Sequence, residues 1–318
     1  MRAIAQATPG APGTLRLEEL PDPVPRPGEL LLEVAAAGIN RADLLQRRGL
    51  YPAPPGASLL LGLEVAGRAL NAAGGFQPGD EVMALLAGGG YAERVVVDPR
   101  HALPVPRAIG LTAAGGVMEA WITAYLNLSE LGGLRAGERV LIHGGSGGVG
   151  NAALQWAAHL GAEVWTTASA PKLARCRALG AARALDHASE DFAAELEAAG
   201  GADLILDIQG ARYLEPNLRA LRPDGRLVVI GLQGGTRAEL DLGRLLMRRL
   251  RLIGSTLRAL DPERKAGIVA RFRDHVWPLL DQGRVEVGVH ATLPLAEAAE
   301  AHRLLESGQV VGKLLLVV

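Results

Sequence analysis

Short apolar runs separated by proline and glycine characterise the first 110 residues. These runs are LLLEVAAAG (30–38), EVAGRAL (64–70), EVMALLA (81–87) and AERVVV (92–97). Turn-forming segments such as PRPGE and QPGDEV lie between them, as is typical of short strands joined by tight turns. The pattern predicts a β-rich region, within which only ADLLQRRG (42–49) indicates a helical turn.

The pattern changes after residue 110. Residues 111–131, LTAAGGVMEAWITAYLNLSEL, carry apolar residues at helical spacing and contain no proline, which predicts a helical segment. Strands and helices then alternate. The predicted strands are 139–143, 163–168, 202–210, 225–235 and 251–256, and the predicted helices are 149–161 and 172–180. This alternation predicts an α/β domain with a parallel sheet covered by helices.

The remaining chain predicts a mixed tail. A helix is expected near 262–282, a strand around 285–290, a helix from about 295 to 307, and a closing strand in KLLLVV (313–318).

A glycine-rich loop stands between the first strand and the first helix of the alternating region. GSGGVG (145–150) fits the pattern G-x-G-x-x-G, with a buried strand before it, a helix after it and a second strand about twenty residues on. In such a loop the glycines allow a sharp turn, a close approach of backbone to a pyrophosphate, and tight helix–strand packing. The start of the helix attracts the anion. The loop therefore predicts a dinucleotide site.

The end of the next predicted strand indicates which dinucleotide binds. A site for NAD usually has Asp or Glu there, to hold the ribose 2′-hydroxyl. Here EVWTTASAPK has no acid, and Ser169 and Lys172 follow the strand. A hydroxyl and an ammonium group suit a 2′-phosphate, so NADPH is predicted. Lys172 would otherwise be a solvated charge in an unfavourable place, the first turn of a helix.

Composition narrows the class of protein. The 318 residues include 33 basic and 34 acidic side chains, which gives a net charge of −1 and no basic surface of the kind that binds nucleic acid. A single cysteine, Cys176, excludes a disulfide within the chain and argues against clustered zinc. No apolar stretch is long enough for a membrane helix or a signal peptide. A cytoplasmic protein is expected.

Motifs along the whole chain resemble those of one family. They are AAGINRADLLQRRGLYPAPPGA (36–57), LGLEVAG (61–67), GDEVMAL (79–85), GGYAERVVV (89–97), AWITAYLNL (120–128), HGGSGGVG (143–150), LGA (179–181), DGRLVVIGLQGG (224–235) and VGKLLL (311–316). In this order and at these spacings the chain resembles the zinc-independent quinone oxidoreductases of the medium-chain dehydrogenase/reductase superfamily, the group that includes zeta-crystallin.

The resemblance implies a fold and an assembly. A GroES-like β-barrel catalytic domain would comprise residues 1–120 and 257–318, and a Rossmann-type, doubly wound parallel-sheet domain would comprise residues 121–256. A homodimer or homotetramer is implied, with RLIGST (251–256) at the joining edge of the sheet.

The resemblance also implies that zinc is absent. At the positions where zinc-dependent relatives carry metal ligands, this chain has Asn40, Leu63 and about Glu119. These side chains do not form the Cys/His site that catalytic zinc prefers, which makes alcohol oxidation improbable.

Site residues follow from the same resemblance. Asn40 and Tyr51 would face the nicotinamide and the substrate as catalytic-site residues. The cofactor would be held by Thr123, Gly145, Ser146, Gly147, Gly148, Val149, Gly150, Ser169, Lys172, His187, Gly231, Leu232, Ser255, Leu257 and Lys313. His143 and Cys176 are interpreted as structural and incidental, respectively.

The predicted function is reduction of a quinone or another conjugated carbonyl compound by NADPH, through hydride or one-electron transfer. Two alternatives stay open. One is an enoyl or alkenal double-bond reductase of the same superfamily. The other is an NADPH-binding regulatory or RNA-binding protein with little turnover.

Overall fold

A computed structural model describes residues 1–318 of the protein. The strands, in chain order, are β1 (Arg2–Ala5), β2 (Arg16–Glu19), β3 (Leu30–Gly38), β4 (Glu64–Ala69), β5 (Glu81–Leu85), β6 (Arg94–Val97), β7 (Ala102–Pro104), β8 (Arg139–His143), β9 (Glu163–Ala168), β10 (Arg183–Asp186), β11 (Ala202–Asp207), β12 (Leu221–Val229), β13 (Arg251–Gly254), β14 (Val289–Pro294) and β15 (Lys313–Val317).

The α-helices are α1 (Arg41–Arg47), α2 (Gly110–Ala114), α3 (Met118–Tyr125), α4 (Gly148–His159), α5 (Leu173–Ala178), α6 (Phe192–Ala198), α7 (Leu214–Ala220), α8 (Leu242–Met247), α9 (Pro262–His275), α10 (Trp277–Asp281) and α11 (Ala298–Glu306). The chain divides into two units. Unit 1 comprises residues 1–122 and 257–318, and unit 2 comprises residues 123–256.

Unit 1 is built on a seven-stranded mixed sheet. Its order is β14-β15-β3-β4-β5-β7, with β6 also pairing with β3. The C-terminal strand β15 pairs antiparallel with β3 and parallel with β14, so the end of the chain completes a sheet that the first hundred residues begin. Its core includes Leu30, Leu32, Val65, Val82 and Leu316, all fully or almost fully buried.

Unit 2 is a six-stranded parallel sheet in the order β10-β9-β8-β11-β12-β13. The order reverses between β8 and β11, and in open α/β sheets that reversal marks the place where ligands bind beyond the carboxyl ends of the strands. The predicted GroES-like and Rossmann-type α/β architecture is confirmed.

The predicted continuous helical pattern over 111–131 is wrong in detail. The segment forms α2, α3 and a π-helical turn at Leu126–Leu131, with a break at Gly115 and Gly116. A Cβ atom on Gly115 would lie 2.8 Å from the Ala36 carbonyl oxygen, and one on Gly116 would lie 2.9 Å from a Leu315 methyl carbon. The close approach of the sheet therefore requires glycine at the break.

The tail also differs from its predicted elements. The expected helix at 262–282 is two helices, α9 and α10, and Pro278 lies in the first turn of the second, where proline's missing N–H does no harm. The expected strand at 285–290 begins later, as β14, because its register is set by β15: Val289 pairs with Lys313.

Candidate functional site

Three glycines shape the loop after β8 and the first turn of α4. A Cβ atom on Gly145 would overlap Thr166 Oγ1, and one on Gly150 would overlap the Gly144 carbonyl oxygen. These two glycines therefore allow tight packing of strand, loop and helix. At Gly147 the nearest neighbour of such a Cβ is the Gly144 carbonyl oxygen at 3.6 Å, so the space beside Gly147 is open to a ligand.

The start of α4 has the features of an anion site. Gly147 is the N-cap residue, no side chain caps the helix, and the first turn contains no acid. The first N–H groups of a helix have no partner within it, and the dipole places positive charge there. The predicted loop residues Ser146, Gly148 and Val149 lie at this turn, and Ser146 is buried. A pyrophosphate fits this arrangement.

The predicted 2′-phosphate residues gather beyond the end of β9. Ser169 follows that strand directly, and its carbonyl oxygen accepts a hydrogen bond from the Lys172 N–H at 2.9 Å. The His187 N–H donates to the Ala168 carbonyl oxygen at 3.1 Å, which places His187 beside the same strand end. Partial burial lowers the pKa of the Lys172 ammonium group.

Sequence reasoning missed one acid near this group. Asp186 ends β10 and pairs in register with Ala168. Its carboxylate accepts hydrogen bonds from the Ala188 N–H at 3.2 Å and the Ser189 hydroxyl at 2.8 Å, and these contacts lower its pKa. Asp186 is thus ionised and engaged in its own turn. Pairing β10 with β9 as parallel neighbours would have placed Asp186 opposite Ala168, at the same end of the sheet.

The other predicted cofactor residues lie at several chain positions. Gly231 and Leu232 follow β12, and Leu232 is 55% exposed. The Ser255 N–H donates to the Val229 carbonyl oxygen at 3.1 Å, which places Ser255 just past the end of β13. Thr123 is the first residue of unit 2, whereas Leu257 is buried and belongs to unit 1.

Two residues interpreted as structural or incidental lie in the interior. His143 is hydrogen-bonded to Thr167 Oγ1 at 2.9 Å and Asn217 Oδ1 at 2.8 Å, and burial lowers its pKa to about 4, so it is neutral. Burial raises the pKa of the Cys176 thiol to about 11, which keeps it from acting as a thiolate near neutral pH.

A buried polar cluster lies in unit 1, around Asn40. Lys313 Nζ donates to Asn40 Oδ1 at 2.7 Å, to Glu64 Oε1 at 2.6 Å and to the Ile39 carbonyl oxygen at 2.9 Å. Asn40 Nδ2 donates to Glu64 Oε1 at 2.9 Å. Both polar atoms of the Asn40 amide are therefore already bonded within unit 1, and Lys313 is only 4% exposed.

Glu64 is the centre of this cluster, and sequence reasoning did not select it. It is completely buried, and its second oxygen accepts the Glu119 N–H at 2.9 Å. A Cβ atom on Gly38 would overlap Glu64 Oε1, so the last residue of β3 is glycine where this carboxylate needs room. A lone acid within the apolar run LGLEVAG was the available signal, since a buried charge needs a partner.

Asp43 supports the chain next to Asn40. Its carboxylate accepts the Asn40 N–H at 2.7 Å and the Gly62 N–H at 3.0 Å, which ties the start of α1 to the segment before β4. Complete burial raises the Asp43 pKa to about 6.

The Tyr51 ring packs against the guanidinium group of Arg258. The Arg258 guanidinium carbon lies 5.3 Å from the Tyr51 ring centroid, within the range of a cation–π contact. Arg258 donates to the Tyr51 carbonyl oxygen at 3.3 Å, to Gln46 Oε1 at 2.7 Å and to the Ala87 carbonyl oxygen at 2.9 Å. Arg258 is 3% exposed, and Lys265 Nζ donates to its carbonyl oxygen at 3.1 Å.

The positions that correspond to zinc ligands do not form a zinc site. Leu63 is a fully buried hydrocarbon, and the Asn40 amide is occupied by Lys313 and Glu64. No three His, Cys, Asp or Glu side chains group in a way that could hold a metal ion. The donor set therefore does not fit catalytic zinc.

Comparison with known proteins gives matches along most of the chain. A family model described as Alcohol dehydrogenase GroES-like domain matches residues 26–107, and one described as Zinc-binding dehydrogenase matches residues 148–273. The synaptic vesicle membrane protein VAT-1 homolog of Rattus norvegicus is 31% identical over 93% of this chain and 78% of its own length.

A polyketide synthase system protein and a quinone oxidoreductase are also similar to this chain. The spectinabilin polyketide synthase system protein NorB of Streptomyces orinoci is 34% identical over 91% of this chain, which spans 13% of that protein. The Escherichia coli quinone oxidoreductase complexed with NADPH has a TM-score of 0.90 and 28% identity, with 100% of both chains covered. No helix of this chain has the length and apolar character needed to cross a membrane.

Proposed function

This chain belongs to the medium-chain dehydrogenase/reductase superfamily as one of its oxidoreductases, and from that premise we propose that it reduces quinones with NADPH, independently of zinc. The observation that carries the proposal is the pairing of an uncapped, acid-free glycine loop with a strand end that bears Ser169 and Lys172. The similarity to a quinone oxidoreductase complexed with NADPH supports it.

The residues of unit 2 would hold the cofactor in two places. The backbone at Ser146–Val149 binds the pyrophosphate, and Gly147 leaves the space for it. Ser169, Lys172 and His187 bind the 2′-phosphate, whose charge Lys172 balances. When bound, the dihydronicotinamide supplies a hydride, and the protein contributes placement and polarity.

The residues of unit 1 would shape the acceptor site. Tyr51 presents its ring and hydroxyl group, and Arg258 fixes the loop that carries it. Asn40 is held rigid by Lys313 and Glu64, so its contribution is a fixed amide surface rather than a mobile donor. No step in this scheme passes through a metal ion.

An NADPH-oxidation screen tests the function. Purified protein is assayed with 1,4-benzoquinone, 9,10-phenanthrenequinone and crotonyl-CoA, each against a no-acceptor control. Acceleration by quinones supports the proposal. Clear NADPH binding without acceleration by any acceptor contradicts it and favours a regulatory protein.

A double-bond reductase is the second candidate, because the chain is similar to a segment of a polyketide synthase system protein. The cofactor site would be the same, so only the acceptor distinguishes the two. Turnover of crotonyl-CoA that exceeds turnover of every quinone would establish this candidate instead.

A further inference from the structure

Glu119, in unit 1, has one carboxyl oxygen that is buried without a hydrogen-bonding partner. It lies in the first turn of α3, where its N–H donates to Glu64. Its Oε2 atom is buried and has no partner, although the residue as a whole is partly exposed. An ionised carboxylate buried without a donor is costly, so the neutral acid is favoured.

The charged groups around Glu119 also leave the neutral form of its carboxyl group favoured. They are Glu64 of β4, Asp43 of α1, Lys313 of β15, Lys265 of α9, and Arg258. The two lysines favour the ionised form, but Lys313 is bonded to Glu64 and Lys265 to the Arg258 carbonyl oxygen. Burial, followed by repulsion from Glu64, raises the Glu119 pKa to about 8.

The other acids of the cluster are committed to partners. Asp43 accepts two backbone N–H groups, and Glu64 accepts Lys313, Asn40 and the Glu119 N–H. Among these three acids, only Glu119 has a buried carboxyl oxygen that no protein group contacts by a hydrogen bond. Its N–H donates to Glu64, which also accepts a hydrogen bond from Asn40, so Glu119 lies close to a residue of the proposed acceptor site.

We propose that Glu119 is a catalytic acid that delivers a proton to the reduced acceptor. This inference rests on the proposed function. The hydride brings two electrons to the acceptor, and negative charge develops on its carbonyl oxygen. The Glu119 O–H bond breaks as a new O–H bond forms on that oxygen, and the remaining carboxylate takes a proton from solvent. A carboxylic acid kept neutral in this way is an effective hydrogen-bond donor to such an oxygen.

The test compares Glu119→Gln with the matched control Glu263→Gln, a change in an acid of α9 that is 79% exposed. We expect kcat with the preferred acceptor to fall roughly hundredfold or more in E119Q, within the range for general acids, and to be unchanged in E263Q. NADPH affinity should be unchanged in both variants. Glu119→Asp, which keeps the acid, should retain more activity than E119Q.

Two readouts distinguish an acid from a merely structural residue. The kcat of the wild type should fall as pH rises through about 8, since the protonated form is the active one, and this decline should be absent in E119Q. At pH 7, infrared spectroscopy should show a protonated-carboxyl C=O band in wild type and E263Q that E119Q lacks. This measurement needs no turnover.

The outcomes separate the two proposals. An active wild type together with an E119Q variant that keeps its kcat and pH profile overturns the role of Glu119 and leaves the proposed function intact. Identical infrared spectra also overturn it. If no acceptor in the screen accelerates NADPH oxidation by the wild-type protein, both proposals are overturned. If E119Q fails to fold, as judged by circular dichroism, E119D and the wild-type pH profile decide.

Discussion

Two lysines predicted to contact the cofactor have opposite surroundings at the scale of single residues. Lys172 lies partly exposed after β9, next to the groups expected to hold a 2′-phosphate. Lys313 is buried in unit 1 and compensates the charge of Glu64. The sequence shows both as lone lysines close to glycine or proline, and only their partners distinguish a ligand-binding charge from a structural one.

Replacing Lys172 should affect one cofactor only. We expect Lys172→Ala to weaken NADPH by about tenfold to hundredfold, the cost of losing a charged hydrogen bond, and to change NADH affinity by less than about twofold. Calorimetric titration with both cofactors measures this. Arg177→Ala, which removes a positive charge from the helix α5 that follows Lys172, is the control. Equal losses for NADPH and NADH would show that Lys172 does not contact the 2′-phosphate.

Replacing Asp43 should affect stability. Asp43→Ala leaves the Asn40 and Gly62 N–H groups buried without acceptors, so we expect unfolding free energy to fall by about 2 to 4 kcal/mol. Denaturant titration measures the change. Asp274→Ala, at a residue 56% exposed and paired only with its neighbour, should change it by less than about 0.5 kcal/mol. Similar values for both variants would contradict the role of Asp43.

The side chains at the positions that correspond to zinc ligands determine the expected metal content. Because Leu63 and the engaged Asn40 amide offer no ligands, purified protein should contain far less than one zinc per chain, as measured by elemental mass spectrometry. Prolonged chelation should leave NADPH oxidation unchanged. One zinc per chain would overturn the comparison of Asn40 and Leu63 with ligand positions.

At the scale of elements, the sequence predicted the bounds of individual strands well. It predicted poorly the helix break that depends on contacts with distant strands. The bounds of β8 and β9 match the predicted strands 139–143 and 163–168 because both are short runs of β-branched, aromatic and aliphatic residues between turns. The segment 111–131, predicted as one continuous helix, breaks where Gly115 packs on β3 and Gly116 packs on β15. The glycine pair is visible in the sequence, but the strands that it contacts are not.

Substitutions at two glycines of this region should have different effects, one on cofactor binding and the other on stability. Gly147→Ala adds a methyl group to open space, so we expect an unchanged melting temperature. The same methyl group would occupy the space assigned to the pyrophosphate, so the dissociation constant for NADPH should rise roughly tenfold or more. Gly150→Ala forces the same methyl group into the Gly144 carbonyl, so we expect about 2 kcal/mol or more of destabilisation. Thermal unfolding and cofactor titration of both variants check this, and tight NADPH binding by G147A would contradict the assignment.

At the scale of the whole molecule, unit 2 presents an unpaired edge. β13 ends the sheet, and exposed apolar residues cluster along the chain next to it: Leu242, Leu246, Met247 and Leu252. Edges of this kind invite pairing with another chain, and a second copy of this protein is the expected partner.

Light scattering with size-exclusion chromatography tests this assembly. We expect wild-type protein to be a dimer or tetramer, and Leu246→Asp with Leu252→Asp to raise the dissociation constant roughly tenfold or more, because charge on an apolar contact costs at least 1.4 kcal/mol. Leu59→Asp, at an exposed leucine in unit 1, is the control. A wild-type monomer, or equal effects of both changes, would refute the edge contact.

The sequence by itself determined the elements whose cause is local. A strand, five glycines within nine residues and a helix define the loop at 143–151, and the missing acid after β9 is visible in the letters alone. The tertiary structure decided which charges meet. Lys313 reaches Glu64 across 249 residues, and Asn40 reaches it across 24. Burial and pairing at such distances depend on the completed sheet of unit 1. For this reason only the fold shows that both oxygens of Glu64 accept hydrogen bonds, whereas Glu119 has a buried oxygen without a partner.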